Sequence, residues 1–312
     1  MERFCAGSRV LIVAGKGGVG KTTTTAALAV AAARTGASVL IVEVEGKSGL
    51  STCFGAPPLE YADAELGAGV RGRTLTPDRA LLEYLEDRGL RRISKRLVRS
   101  GALDIVATAV PGMKDILVLG KVKQLEQGGA ADLILIDAPA AGHAVSFLMS
   151  PRGLLDAVRM GPVRTQAEGV IAMLSDPARC RVLLVTLPEE TPVNELVDTA
   201  YTLEDRVGVQ LGPVVVNAMP ADLGLAGRST AEDAATVGVQ IPAADIRALD
   251  EAAAFRLERH ELAQEQAKGL AVRLALPQLR LPFVFGEIGP LEIDQLADAL
   301  VDEVATLPTP GA

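Results

Sequence analysis

Val10 to Ala29 read VLIVAGKGGVGKTTTTAALA, and the reading of this stretch decides the fold. Val10 to Val13 are a short apolar run of the kind a buried parallel strand needs. Gly15 to Thr22 then match G-x-x-x-x-G-K-[ST] at every specified position. Gly17, Gly18, Val19 and Gly20 are small enough for the backbone to curl so that successive N–H groups point inward at a polyphosphate. Lys21 supplies a point charge for the β- and γ-phosphates, and the Thr22 hydroxyl suits Mg2+. Thr23 opens the following helix, whose dipole puts its positive end at the same place. Four threonines from Thr22 to Thr25 start a helix poorly on propensity alone. A local rule broken at a phosphate site is what function produces, whereas a chance glycine turn would not sit between an apolar strand and an Ala-rich helix.

Composition narrows the class further. The chain has 312 residues, enough for one large α/β domain or two ordinary ones. With 49% hydrophobic and 22% charged residues it reads as globular, and much of the apolar share is alanine. No run of 18 apolar residues predicts a membrane span, and the start MERFCAGSRV does not read as a signal peptide, so a cytoplasmic location is expected. A net charge of −8 argues against nucleic acid as a partner. Cys5, Cys53 and Cys180 are odd in number and widely spaced, which excludes a disulfide framework and an ordinary zinc site.

Outward from the loop, Ser38 to Val44 form a second apolar strand, completing a β-α-β unit with a right-handed crossover. From Pro57 to Gly129 the pattern turns mostly helical, with a basic amphipathic face over Arg88 to Arg99 and a break at Pro111-Gly112. That basic face reads first as solvated, and second as a docking surface for an acidic partner or a membrane. Ala131 to Asp137 form a strand ending in a carboxylate, and the small residues Ala138 to Gly142 predict a loop after it. Phe147 to Leu174 read as one helical stretch, its methionines and leucines as core before client groove. Strands at Val182 to Leu187, Pro213 to Val216 and Leu279 to Val284 alternate with helices to the end. The expected fold is α/β: a doubly wound, mostly parallel sheet in one domain over 1–312, with helical insertions at about 77–128 and 146–176.

Several motifs now stand in order, and together they resemble a family. The extra lysine in K-G-G-V-G-K-T, Lys16 to Thr22, resembles the deviant Walker A of the signal recognition particle/MinD/BioD class of nucleotide switches. V-L-I-V-x-x-E at Val39 to Glu45, P-G-M-K-D at Pro111 to Asp115, D-A-P-A-A-G-H at Asp137 to His143, V-V-V-N at Val214 to Asn217 and the Pro282 strand complete the set. The set resembles the ArsA-type ATPases, which include the arsenite-efflux ATPase and the tail-anchored-protein targeting ATPase. E-V-E-G-K-S-G at Glu43 to Gly49 looks nearest an actinobacterial branch of anion-transporting ATPases.

The resemblance implies ATP and ADP as ligands, Mg2+ as cofactor, and a dimer of two identical or paralogous subunits. It makes Lys16 the lysine that reaches the partner's nucleotide, Lys21 the phosphate lysine, and Thr22 with Asp137 the Mg2+ residues. Glu45 would position the attacking water, with Glu43 in reserve, and Asn217 and Pro282 would lie against the adenine. Departures are equally plain. Glu45 stands where the family has Asp, a shift of about 1 Å that can cost about 10²-fold in rate. Ala141 replaces a threonine, and neither a C-x-x-C clasp nor a metalloid-binding cysteine trio is present, so arsenite transport is not expected.

The resulting expectation is a Mg2+-dependent ATP hydrolase working as a dimeric switch. Its cargo is an unidentified protein or small molecule, which could be membrane-associated. The rivals are a MinD/ParA-like positioning ATPase, disfavoured by the acidic C-terminal segment, and a nucleotide-binding scaffold that hydrolyses slowly or not at all.

Overall fold

Strand β1 (Val10–Gly15) is buried at all six positions, as a strand covered on both faces must be. Val10, Ile12 and Ala14 enter one apolar cluster, and Leu11 and Val13 enter another. That period of two recurs along the sheet and fixes which side chains face which helices. The computed structural model describes residues 1–44, 49–67, 69–87, 89–92, 94, 96 and 112–308, the side chains of 140–143 excepted.

In chain order, a short helix α1 (Glu2–Cys5) precedes β1, followed by α2 (Lys21–Ala33), β2 (Val39–Val44) and α3 (Leu50–Cys53). An edge hairpin, β3 (Ala64–Gly67) and β4 (Val70–Leu75), leads into α4 (Pro77–Asp87) and later α5 (Met113–Gln127). Then come β5 (Leu133–Ala140), α6 (Ala141–Ala157), α7 (Pro162–Leu174), β6 (Cys180–Thr186) and α8 (Glu190–Thr202). The chain closes with β7 (Val214–Met219), α9 (Thr230–Thr236), the long α10 (Ala243–Arg273), β8 (Gln278–Pro282) and α11 (Pro290–Ala305). The sheet order is β3-β4-β2-β5-β1-β6-β7-β8, parallel throughout except for β3 against β4. One face carries α2, α3 and α11; the other carries α5 to α8 and α10. Strand β1 lies between β5 and β6, so its carboxyl end opens where the chain winds away in both directions, the usual crevice for a ligand.

The doubly wound, mostly parallel sheet is as expected; three local expectations are corrected. First, the segment after Pro57 is not simply helical, because β3 and β4 occupy its start. Arg71 and Arg73 disguise β4 as a loop; in the fold they pair with Asp63 at 2.9 and 3.0 Å, and Arg73 stacks on Tyr61. Second, no loop follows Asp137: β5 runs on to Ala140, whose partner is Gly15, and α6 begins at the next residue. Third, Phe147 to Leu174 divide into α6 and α7 around Gly161, whose φ of 104° belongs to glycine. The methionines there divide too, Met173 being fully buried and Met160 82% exposed. Half of the basic run from Arg88 to Arg99 lies outside the described residues.

Candidate nucleotide site

The loop from Lys16 to Gly20 joins the end of β1 to the first turn of α2. Two glycines there are dictated by close approach. A Cβ on Gly15 would fall 2.3 Å from the Val185 carbonyl oxygen of β6. A Cβ on Gly20, which adopts φ 88°, would fall 2.1 Å from Asn217 Nδ2. Gly17 and Gly18 are exposed and Val19 is buried, so the loop turns one apolar residue inward and its glycines outward.

Lys21, first residue of α2, donates from Nζ to the Lys16 carbonyl at 3.0 Å. Partial burial lowers its pKa below the ordinary lysine value, and the nearby Asp137 carboxylate works in the opposite direction. Thr22 donates from Oγ1 to Asp137 Oδ2 at 2.8 Å, joining residues 115 positions apart. Thr23 follows on the same helix, half-buried. Strand parity puts Asp137 on the α2 face with Leu133 and Leu135, and its neighbours in register are Val13 on β1 and Glu43 on β2. Asp137 is 3% exposed and Glu43 is 5% exposed. Glu43 Oε2 accepts the Thr74 hydroxyl at 2.6 Å. Cys53 of α3 lies within reach of the Asp137 charge; burial first, and that charge second, push its thiol up to about 11.

On the other flank, Lys16 Nζ lies 2.6 Å from Glu195 Oε1 of α8, and both side chains are 43% exposed. The second lysine is therefore half-exposed and neutralised within its own chain, not buried as a second cation. Asn217, at the carboxyl end of β7, donates from Nδ2 to the Val19 carbonyl at 2.9 Å and so ties β7 to the loop. The next residue, Ala218, has φ 57°, and the β7–β8 pairing shifts between Val216 and Met219. Pro282 ends β8 exposed, opposite Met219, one strand beyond Asn217.

The structure thus brings Lys16, Lys21, Thr22, Asp137, Asn217 and the loop glycines to one sheet edge, with Pro282 at its margin. Glu45 lies outside the described residues. Sequence reasoning missed Glu195, Thr74 and Cys53. A glutamate in a helix, a threonine in a strand and a lone cysteine carry no local signal, because only packing gives them neighbours.

For a divalent cation the fit is chemical. Thr22 Oγ1 and Asp137 Oδ2 are hard oxygen donors, already adjacent, of the kind Mg2+ takes in small number while keeping waters and phosphate oxygens.

A strand–glycine loop–helix leaving the centre of a parallel sheet, with a buried aspartate against the helix's first hydroxyl, defines a phosphate-loop α/β nucleotide-binding fold. Comparison with known proteins narrows this. Residues 8–161 match the anion-transporting ATPase family. ATPase BagA of Mycobacterium tuberculosis is 33% identical over 322 aligned residues, covering 96% of this chain and 94% of that protein. ATPase get3 of Schizosaccharomyces japonicus is 28% identical over 170 residues, 52% of each. ATPase ASNA1 homolog 2 of Paramecium tetraurelia is 30% identical over 146 residues, 45% of this chain and 43% of that protein. The chain belongs to the ArsA-type, anion-transporting ATPase family. Among the described residues no helix is long and apolar enough to cross a membrane.

Proposed function

We infer that this protein binds and hydrolyses ATP with Mg2+ and uses the cycle as a dimeric switch in the cytoplasm. The observation that carries the reading is the Thr22–Asp137 contact beneath the phosphate loop. Thr22 and Asp137 would hold the cation, Thr22 directly and Asp137 through its water shell. Bound Mg2+ would supply charge neutralisation at the β- and γ-phosphate oxygens. Lys21 would leave the Lys16 carbonyl for those phosphates, where its positive charge is better matched. Asn217 and Pro282 would bound the adenine, and Glu45 would orient the attacking water.

Lys16 would act in trans. Each subunit's own phosphates are served by Lys21 and the loop N–H groups, so a second lysine is useful chiefly to a nucleotide facing it from another subunit. An exposed ion pair is worth about 1 kcal/mol or less, so Glu195 would surrender Lys16 to a partner's triphosphate with little loss. Closure with ATP and opening after hydrolysis would move the helices on the α5–α7 side, where cargo or a partner protein would dock.

Phosphate release with and without Mg2+, together with light scattering of the ATP- and ADP-loaded protein, tests this reading. Mg2+-dependent release and an ATP-specific dimer are expected. Tight ATP binding without release would favour the non-hydrolysing scaffold.

A further inference from the structure

Among the arginines of the described strands, Arg181 is the one that finds no side-chain acceptor among the described residues. Arg71 and Arg73 of β4 meet Asp63, and Arg280 of β8 meets Gln264 and Gln278. Arg181, second residue of β6 and half-buried, donates only from Nε, to the Pro177 carbonyl at 3.2 Å. Its two terminal nitrogens, part of the planar fork that matches a carboxylate, are left over. Cys180 and Val182 on either side of it enter the cluster beneath α5 to α8 and α10. Arg181 therefore belongs with Leu183 on the opposite face, that of α2 and α11.

On that face it lines a cavity of about 770 Å³ at the amino edge of the sheet. Leu211 to Pro213 lead into β7 there, Leu276 and Pro277 lead into β8, and Arg34 and Thr35 follow α2. The nucleotide site lies at the carboxyl edge, and the 13 residues of α2 separate the two by about 20 Å. Phe4 of α1, Leu211, Leu276, Val304 of α11 and Leu307 make the walls apolar. The volume and the mix of apolar walls with few polar groups are those of a small-molecule pocket. Its charge is positive in a chain of net charge −8: three arginines line it against one acid, the exposed Glu2. Arg34 is already committed to Asp294 and Asp298 at 2.9 and 2.6 Å. Arg3 is exposed and has no acceptor among the described residues. Two guanidinium groups, those of Arg3 and Arg181, are left for a ligand.

We propose that this cavity binds a small apolar carboxylic acid, its hydrocarbon body against the five apolar walls and its carboxylate on the guanidinium groups of Arg181 and Arg3. The head fits because a guanidinium pairs with a carboxylate through charge-assisted, often bidentate hydrogen bonds. The body fits because each methylene removed from water adds to affinity. Neither half suffices alone: a bare anion leaves the apolar walls wet, and a cationic amphiphile meets the arginines. The site stands apart from the nucleotide reading and does not depend on it.

The test is calorimetric titration of the full chain with octanoate, decanoate and dodecanoate, each below its micelle concentration. Acetate and decyltrimethylammonium serve as the head without the tail and the tail with the opposite charge. Saturable binding that tightens with chain length is expected, with shifts in the methyl resonances of Leu211, Leu276 and Leu307. Neither control should displace decanoate. Arg181→Gln should weaken decanoate about tenfold or more, and Arg3→Gln by less, since Arg3 is the more exposed. Ala305→Trp adds bulk to the lining from the exposed end of α11 and should abolish binding with both arginines intact. It decides the matter where Arg181→Gln fails to fold, with thermal melting of each variant as the check on folding. No saturable binding of any of the three acids would overturn the proposal. So would equal binding of decyltrimethylammonium, or unchanged decanoate affinity in folded Arg181→Gln or Ala305→Trp protein. Sedimentation with phosphatidylglycerol vesicles without uptake of free acid would overturn it as well, and would make this edge a membrane contact.

Discussion

The two flanks of the phosphate loop are built to opposite rules. Toward β5, Thr22 bonds the buried Asp137 at 2.8 Å and Thr74 bonds the buried Glu43 at 2.6 Å, with Asp137 and Glu43 in register on neighbouring strands. Toward α8, Lys16 and Glu195 meet at 2.6 Å with each side chain 43% exposed. Buried oxygens cannot exchange partners for water, so the first flank presents one fixed constellation to a cation. An exposed ion pair exchanges freely, so the second flank can hand its lysine to another acceptor. One lysine lies near each flank, and partial burial lowers the pKa of Lys21. On the proposed reading, the buried flank serves the cation and the exposed flank serves a partner subunit.

The sharpest way to break this contrast is Lys16→Ala. If the exposed flank acts in trans, turnover should fall about 10³-fold or more while ATP still binds, as for other catalytic cations supplied by a partner. A mixture of Lys16→Ala and Lys21→Ala subunits should regain activity, since the loaded site then faces an intact Lys16. Normal turnover by a Lys16→Ala monomer would show that Lys16 is an ordinary loop lysine.

Lys21→Ala probes the lysine that stays with its own nucleotide. Loss of a charge-assisted contact to the phosphates should weaken ATP about 100-fold in a calorimetric titration, with the far-ultraviolet spectrum unchanged. ATP affinity within a few-fold of wild type would remove Lys21 from the phosphate site.

A smaller effect follows from the lowered Lys21 pKa. Phosphate negative charge should raise that pKa again on binding, so ATP binding takes up protons in the window between the lowered free-state value and the raised bound-state value. The sign follows directly: ATP affinity should decrease as pH rises through the lowered pKa. Calorimetry in buffers of differing ionisation heat measures the uptake, and it should vanish in Lys21→Ala.

Glu195→Gln should give the smallest change. The pair is worth about 1 kcal/mol at most, so release of Lys16 should improve the ATP-dependent dimer by about fivefold or less. The effect should shrink further in high salt. A loss of dimer would show that Glu195 itself contacts the partner.

How much of this was legible depended on how local each signal was. The phosphate loop, the apolar runs of β1, β2 and β5, and the Pro111-Gly112 break before α5 lie within a few residues of their own causes. Gly112 adopts φ 79° at the N-cap of α5, as the break requires. Strand β4 was illegible because Arg71 and Arg73 break the apolar pattern, and their partners Asp63 and Tyr61 are identified only by the fold. Asn217 was legible as a residue at the end of a strand, yet its contact with the Val19 carbonyl was not.

The sequence by itself determined the class of fold, the family and the phosphate-loop motif. Backbone conformation and face alternation are written in neighbouring residues, at periods of two and three to four. Tertiary structure alone decided which side chains face one another across the loop. Thr22 meets Asp137 over 115 residues, Lys16 meets Glu195 over 179, and Asn217 reaches Val19 over 198. Such pairs are set by strand order and register, and a strand shifted by one residue would turn Glu43 and Asp137 to the opposite face of the sheet.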